Sequence, residues 1–341
     1  MTVVKITSYF FAPYSTKISK KMQSELHSLL SEITASPSKT PDLYCKQVKT
    51  LSKRLPSTIQ DQLHDFATNS AGYLLFTNLP LDTIPLPPTP ANNTHHIGET
   101  TAIAHIQALF LQHISEMVAY EAEGHGHLFQ DIVPNPTLST AQTSLGSQTE
   151  LEIHTEQAFS NLRPDFLSLA CLRGDPDAFT YILPVNVLIA HLTPEEQALL
   201  REPLWMTGVD LSFKHAMNSM TRCGKEFLEG EVRGPMPILY GPAHDPHLRF
   251  DQDLMRGLTA DADHMIKKIV EIYYAHRLRH CLSPGEIMIV DNRRAVHGRS
   301  PFSPRYDGND RFLIRCFSKI DYESTAYARP DNGRMIAAIY S

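Results

Sequence analysis

Cysteine is scarce and unorganised in this chain. The five cysteines among 341 residues (Cys45, Cys171, Cys223, Cys281 and Cys316) are odd in number, scattered and without a C-x-x-C pair. That excludes a disulfide framework and a cysteine-built zinc site, and it implies a reducing, cytoplasmic setting. No apolar run approaches the roughly 18 residues of a membrane span. The opening MTVVKITSYFFAPYS has only a short apolar patch, without a charged leading segment or a cleavage site, so no signal peptide is expected. Positive charge is not in excess: 31 Lys and Arg stand against 37 Asp and Glu, a net charge of −6. No basic patch suits a phosphate backbone, so neither nucleic acid nor a membrane is an expected partner. Internal repeats and low-complexity tracts are also missing. What is present is an ordinary globular composition, 42% hydrophobic and 20% charged, long enough for a sizeable core.

The pattern predicts a single domain over residues 1–341. Residues 1–120 read as a mostly helical flank, with helices over 16–33 (Ile18, Met22, Leu26, Leu29 and Leu30 at helical spacing), 57–68 and 104–122. A strand over 72–77 lies between them, and PLPPTP at 85–90 is a stiff connection. From about residue 150 strands dominate, at 150–156, 165–173, 287–291 and 311–318. A helix starts at Thr193, with Pro194 as its first residue and Glu196 closing a capping box, and another spans 260–279. Many strands with few helices between them argue against a parallel βαβ sheet. The expected fold is mainly β with flanking helices: a double-stranded β-helix (jelly roll) core over 121–321, an inserted lid segment at about 186–280, and a tail over 322–341.

Chemistry concentrates in LEIHTEQAF and VDNRRAVHGRSPF. On a strand, His154 and Glu156 share a face, because side chains alternate with period two. A distant His297 brought beside them completes two imidazoles and one carboxylate, the facial set of non-heme Fe(II) oxygenases. With 17 His in the chain, an isolated H-x-E arises by chance; here it sits in an alternating segment followed by a strong strand candidate. The same three ligands also suit a zinc hydrolase, and a barrel that merely binds a small acid is a further alternative. His125 and His127 flank a glycine and read as loop residues rather than a second metal pair.

GSQTELEIHTEQAFSNLRPDFLSLACLRGD, PGEIMIVDNRRAVHGRSPF and DRFLIRCFSKID together resemble the clavaminate synthase-like Fe(II)/2-oxoglutarate oxygenases, over about residues 120–321. Within that family the chain is most similar to the hydroxylases of free arginine and lysine, and the Glu of HTE is a mark of the subgroup. The resemblance implies that His154, Glu156 and His297 ligate Fe(II). Arg311, fourteen residues after His297, would pair with the distal carboxylate of 2-oxoglutarate, with Thr180 a further candidate. Arg315 would clamp the α-carboxylate of an amino acid, Glu123 its amine, and Ser144 would touch the substrate. Asp251 and Asp253 would hold a cationic side chain, and Asp210, in the lid segment, would help. Residues four apart on a strand share a face, and two guanidinium forks suit two carboxylates.

The reaction implied is oxidative decarboxylation coupled to hydroxylation, with O2 consumed and succinate and CO2 released. The iron centre would do the chemistry at C3 or C4 of lysine or arginine, without a separate acid or base. Arg315 favours a free α-carboxylate, since a peptide bond would leave its charge unmatched. Glu156 also excludes halogenases of this type, which lack the carboxylate ligand. Desaturation or cyclisation of a non-proteinogenic amino-acid derivative is the alternative outcome.

Overall fold

The computed structural model describes residues 14–69, 71–210, 213 and 232–340, and the Phe312–Lys319 strand runs through the middle of it. Along this strand Phe312, Ile314 and Cys316 are buried against N-terminal helices, while Leu313 and Phe317 are buried in a second cluster on the other face. Period-two alternation dictates this division, and it gives Arg315 the parity of the inner face. Burial on both faces is why the segment reads as a nearly continuous apolar run. The Tyr73–Thr77 strand sorts the same way, Leu74 and Phe76 outward and Tyr73 and Leu75 inward, as does Ile287–Asp291. Each such large apolar side chain contributes about 1.5–3 kcal/mol on burial.

Among the described residues the larger sheet has eight strands. Its order is Ser15–Lys17, Tyr73–Thr77, Ile287–Asp291, Phe166–Arg173, Phe312–Lys319, Glu116–Tyr120 and Met335–Ile336, and Gln130–Ile132 also pairs with Phe312–Lys319. The smaller sheet has four, ordered Leu278–His280, Thr180–Pro184, Ala295–Arg299 and Leu151–His154, all antiparallel. Ile182 and Ala295 of the smaller sheet share one cluster with Leu167, Met288 and Leu313 of the larger. The two sheets therefore face each other across a common apolar layer.

The expectation of a mainly β chain gives way to a mixed α/β one. Lys20–Leu30, Pro41–Ser52, Ser57–Asn69 and Ala102–Ile114 cover the outer face of the larger sheet. Ala260–His276 packs Met265, Ile269 and Ile272 on the outer face of the smaller one. The helix expected over 104–122 stops at Ile114, because Ser115 is extended (φ −160°) and its hydroxyl donates to the Leu111 carbonyl at 2.8 Å. Glu116–Tyr120 then pairs with Phe317–Lys319 as a strand, sending Met117 and Ala119 outward and Val118 and Tyr120 inward. The helix expected from residue 16 begins after Ser19, whose hydroxyl accepts from Met22 N, and Ser15–Lys17 pairs with Leu75–Thr77 instead. The one over 260–279 ends at His276, where Leu278–His280 joins the smaller sheet. Pro41–Ser52 and Val185–Ala190 are helices that the sequence reading did not anticipate. The capping box at Thr193 and Glu196 is present.

Within 186–280 a three-stranded sheet forms from Trp205–Gly208, Val232–Met236 and Met255–Gly257. The rest of the expected lid, residues 211–212 and 214–231, lies outside the described residues, as does Cys223. The four described cysteines are free. No described helix is long and apolar enough to cross a membrane.

Candidate active site

His154 ends the Leu151–His154 strand, and sheet register sets it directly opposite His297 on Ala295–Arg299. The two imidazoles stand 4.5 Å apart between centroids. Glu156 departs from the sequence reading: the strand stops at His154, so a shared strand face does not orient it. Asn292 does that work instead. Its Oδ1 accepts from Glu156 N at 2.7 Å, and its Nδ2 donates to Glu156 O at 3.1 Å and to Pro164 O at 2.8 Å. A buried asparagine thus satisfies both sides of a peptide that has left the ladder. Gln157 follows in left-handed backbone, φ 53°.

One donor atom each from His154, Glu156 and His297 lie within 4.8 Å of one another. Nδ1 of His154 hydrogen-bonds the carbonyl of Glu152 at 2.8 Å, which leaves Nε2 for a metal. Nε2 of His297 stands 3.3 Å from Glu156 Oε1, and its Nδ1 is buried without a partner. Burial, with His154 alongside, lowers the His297 pKa and keeps the imidazole neutral. Burial alone would raise the Glu156 carboxyl; the Arg315 guanidinium and His297 outweigh it and hold the group well below the usual carboxylate range. Neutral imidazoles and an ionised carboxylate are the forms in which these ligands bind metal, so the donor set fits Fe(II).

All eleven residues named from the sequence line one cavity: Glu123, Ser144, His154, Glu156, Thr180, Asp210, Asp251, Asp253, His297, Arg311 and Arg315. Arg311 is buried just before the Phe312–Lys319 strand, 5.9 Å from the Phe302 ring, and has no hydrogen bond or ion pair among the described residues. A buried cation without a counter-charge is costly, and burial indeed lowers its pKa. Thr180, buried at the start of Thr180–Pro184, lines the same region. Arg315 is fully engaged. It donates to Glu156 Oε1 at 3.2 Å, to Gln130 Oε1 at 2.7 Å, and to Glu123. Glu123 also accepts from Gln157 Nε2 at 3.1 Å, and burial raises its carboxyl.

Across the cavity Asp251 bridges to His154 in antiparallel register and accepts from Leu254 N at 2.8 Å. Burial raises its carboxyl, and that of Asp210 rises well above the ordinary value from burial and from Asp251 beside it. Asp253 is exposed. His125 and His127 lie outside the cavity lining, and His127 stacks on His96 with centroids 3.6 Å apart.

Sequence reasoning missed Glu152, Gln142 and Arg299, which also line the cavity, and the supports Asn292, Gln130 and Gln157. Strand parity with His154 was the available signal for Glu152. Asn292 carried none, since its partner is 136 residues away.

Comparison with known proteins agrees with this geometry. The model of the family described as taurine catabolism dioxygenase TauD, TfdA family matches residues 46–317. An L-lysine 3-hydroxylase of Catenulispora acidiphila is 50% identical over 300 residues, covering 87% of this chain and 82% of that protein. The crystal structure of an asparagine oxygenase in complex with Fe(II), 2S,3S-3-hydroxyasparagine and succinate superposes with a TM-score of 0.84 at 29% identity, covering 95% of this chain and 99% of the other. The non-heme iron oxygenase OrfP in complex with Fe and alpha-ketoglutaric acid gives a TM-score of 0.80 at 25% identity, covering 94% and 99%.

Proposed function

The chain belongs to the taurine catabolism dioxygenase TauD, TfdA family, and from that premise we propose that it hydroxylates free L-lysine at C3. It is an Fe(II)- and 2-oxoglutarate-dependent dioxygenase with a jelly-roll core, and an amino-acid hydroxylase. The choice of lysine and of C3 follows the relative that shares half its residues over most of both chains. The observation that carries the reading is the charge set gathered in one cavity: a cluster of two imidazoles and a carboxylate, a buried arginine unpaired among the described residues, and further carboxylates.

His154, Glu156 and His297 would hold Fe(II), which with 2-oxoglutarate and O2 supplies the oxidising power that places one oxygen atom on a C–H carbon and releases succinate and CO2. The rest is positioning by the chain. Arg311, with Thr180, receives the far carboxylate of 2-oxoglutarate as a bidentate charge pair. Arg315 takes the substrate α-carboxylate, and Glu123, now its partner, turns to the α-ammonium, so the zwitterion replaces their mutual ion pair at little electrostatic cost. Ser144 contacts this end. Asp251, Asp253 and Asp210 receive the side-chain cation. With both ends held, the chain between them presents a fixed methylene to the metal. A cavity of about 280 Å³ suits a free amino acid rather than a polymer.

The test is incubation with Fe(II), 2-oxoglutarate and O2 across the free amino acids, reading succinate and product mass. Lysine gaining one oxygen at C3, in step with succinate, is the expected result. Succinate with a product two hydrogens lighter would replace hydroxylation by desaturation. The absence of iron- and oxygen-dependent succinate with every amino acid would overturn the reading.

A further inference from the structure

We infer that Glu152 is a specificity-determining residue: with Asp251 and Asp253 it forms a three-carboxylate seat for the ε-ammonium of lysine, and so selects lysine over arginine. This rests on the proposed reading of the cavity and deepens it.

Strand parity aims the side chain. Glu152 and His154 lie two apart on Leu151–His154 and both line the cavity. The 251–253 segment supplies its neighbours. Asp251 bridges to His154, and Gln252 N donates to Ile153 O at 3.0 Å; the chain then turns, with Met255 N donating to Asp251 O at 3.1 Å. Glu152 from the strand and Asp253 from this turn both line the cavity. Carboxylates that share one cavity repel one another.

Arg256 lies near enough to Glu152 to favour its ionised form, but among the described residues no cation is bonded to it. Glu152 makes no side-chain hydrogen bond or ion pair among the described residues. Arg277, on the neighbouring Glu150, is bound to that residue at 2.7 Å, and Arg256 donates to the Met255 carbonyl at 2.6 Å. Meanwhile the backbone of Glu152 is held on both sides: its N–H donates to Gln142 Oε1 at 3.1 Å and its carbonyl accepts from His154 Nδ1. The side chain is thus an unpartnered anion on a fixed backbone, facing the cavity where the substrate cation has to sit.

Chemistry decides which cation. A guanidinium is a planar fork matched by one or two carboxylates in its plane. An ammonium is a compact charge with three donors in a pyramid, and it is matched by three acceptors that approach from more than one side. Glu152 comes from the sheet, while Asp251 and Asp253 come from the crossing segment, which supplies that arrangement.

The experiment compares the wild-type holoenzyme with Glu152→Gln and Glu152→Ala on L-lysine, L-arginine and the neutral lysine analogue L-norleucine. It reads coupled product, KM and kcat, with bound iron measured in each protein. Glu152→Gln is expected to raise KM for lysine by roughly 10- to 100-fold, the range for a lost charge-assisted hydrogen bond. Its kcat should change less, its iron content should be unaltered, and its preference for lysine over arginine and norleucine should fall. An unchanged lysine KM and an unchanged lysine-to-arginine ratio in an iron-loaded Glu152→Gln protein would overturn the assignment. Should Glu152→Ala misfold, the near-isosteric glutamine variant decides. A wild-type protein that hydroxylates no basic amino acid would instead sink the functional reading itself, an outcome visible before any variant is made.

Discussion

Arg315 and His297 converge on one atom of Glu156: Nη1 of Arg315 lies 3.2 Å from Oε1, and Nε2 of His297 lies 3.3 Å from it. The residue proposed to clamp the amino acid is therefore in direct contact with the proposed carboxylate ligand. Arg315→Gln should raise KM for the amino acid by about 100-fold or more, because it also leaves Glu123 buried without its cation. Removing one member of a buried pair costs about 3–5 kcal/mol, so the melting temperature should fall as well. Amino-acid-independent turnover of 2-oxoglutarate should survive, since Arg311 is untouched. Steady-state kinetics with and without lysine, beside a thermal melt, check all three; an unaltered amino-acid KM would remove Arg315 from the substrate site.

Glu156→Ala should abolish coupled hydroxylation and lower iron occupancy, because two imidazoles alone leave the triad incomplete. Iron analysis and succinate release measure this. Normal turnover at native iron content would show that another group is the carboxylate ligand.

Arg311 stands apart from this network, buried and unpaired. Arg311→Gln should therefore raise KM for 2-oxoglutarate by roughly 10- to 100-fold, the loss of one charge-assisted pair, and leave KM for lysine nearly unchanged. Because an uncompensated buried cation is removed, the unliganded variant should melt no lower than wild type. A variant that loses affinity for lysine rather than for 2-oxoglutarate would exchange the roles given to the two arginines.

What the sequence disclosed follows the range of its interactions. Arg315 and Phe317 could be sorted to one face because parity is local, and the Thr193 cap was readable because its partners lie within one helical turn. Ser115 was not readable as a helix end, because Glu116–Tyr120 becomes a strand only through pairing with residues two hundred positions away. The same reason hides Asn292. The triad itself was legible as residue types, but the argument that oriented Glu156 was wrong, since the strand ends two residues early and a distant asparagine finishes the task.

Asn292→Ala tests that task. It deletes three hydrogen bonds in a fully buried position, two of them to the Glu156 peptide. Leaving buried backbone groups unsatisfied costs about 1–3 kcal/mol each, so stability should drop by a few kcal/mol. Iron should also bind more weakly, and succinate should form with less hydroxylated product per turnover, because the ligand loses its fixed orientation. A denaturant melt, metal titration and the product-to-succinate ratio separate these effects. A destabilised variant with native iron affinity and full coupling would reduce Asn292 to a structural role.

Asp210 gives a pH dependence of definite sign. Burial, with Asp251, Glu123 and Glu156 nearby, holds its carboxyl well above the ordinary value. The folded state thus keeps this proton more tightly than the unfolded chain, whose carboxyl titrates near about 4. The stability conferred by that proton is fully present below the unfolded value and is lost as pH rises toward and through the folded one. Asparagine has no proton to lose. In the substrate-free protein, Asp210→Asn should accordingly melt higher than wild type by a margin that grows from pH 5 to pH 8. Saturating lysine should narrow the margin, because a bound cation favours the ionised aspartate and stabilises the wild type selectively. Melting curves of both proteins across that pH range, with and without lysine, decide the matter. A margin that shrinks with rising pH would mean that Asp210 is ionised and paired in the folded protein, and would take it out of the carboxylate group that faces the substrate.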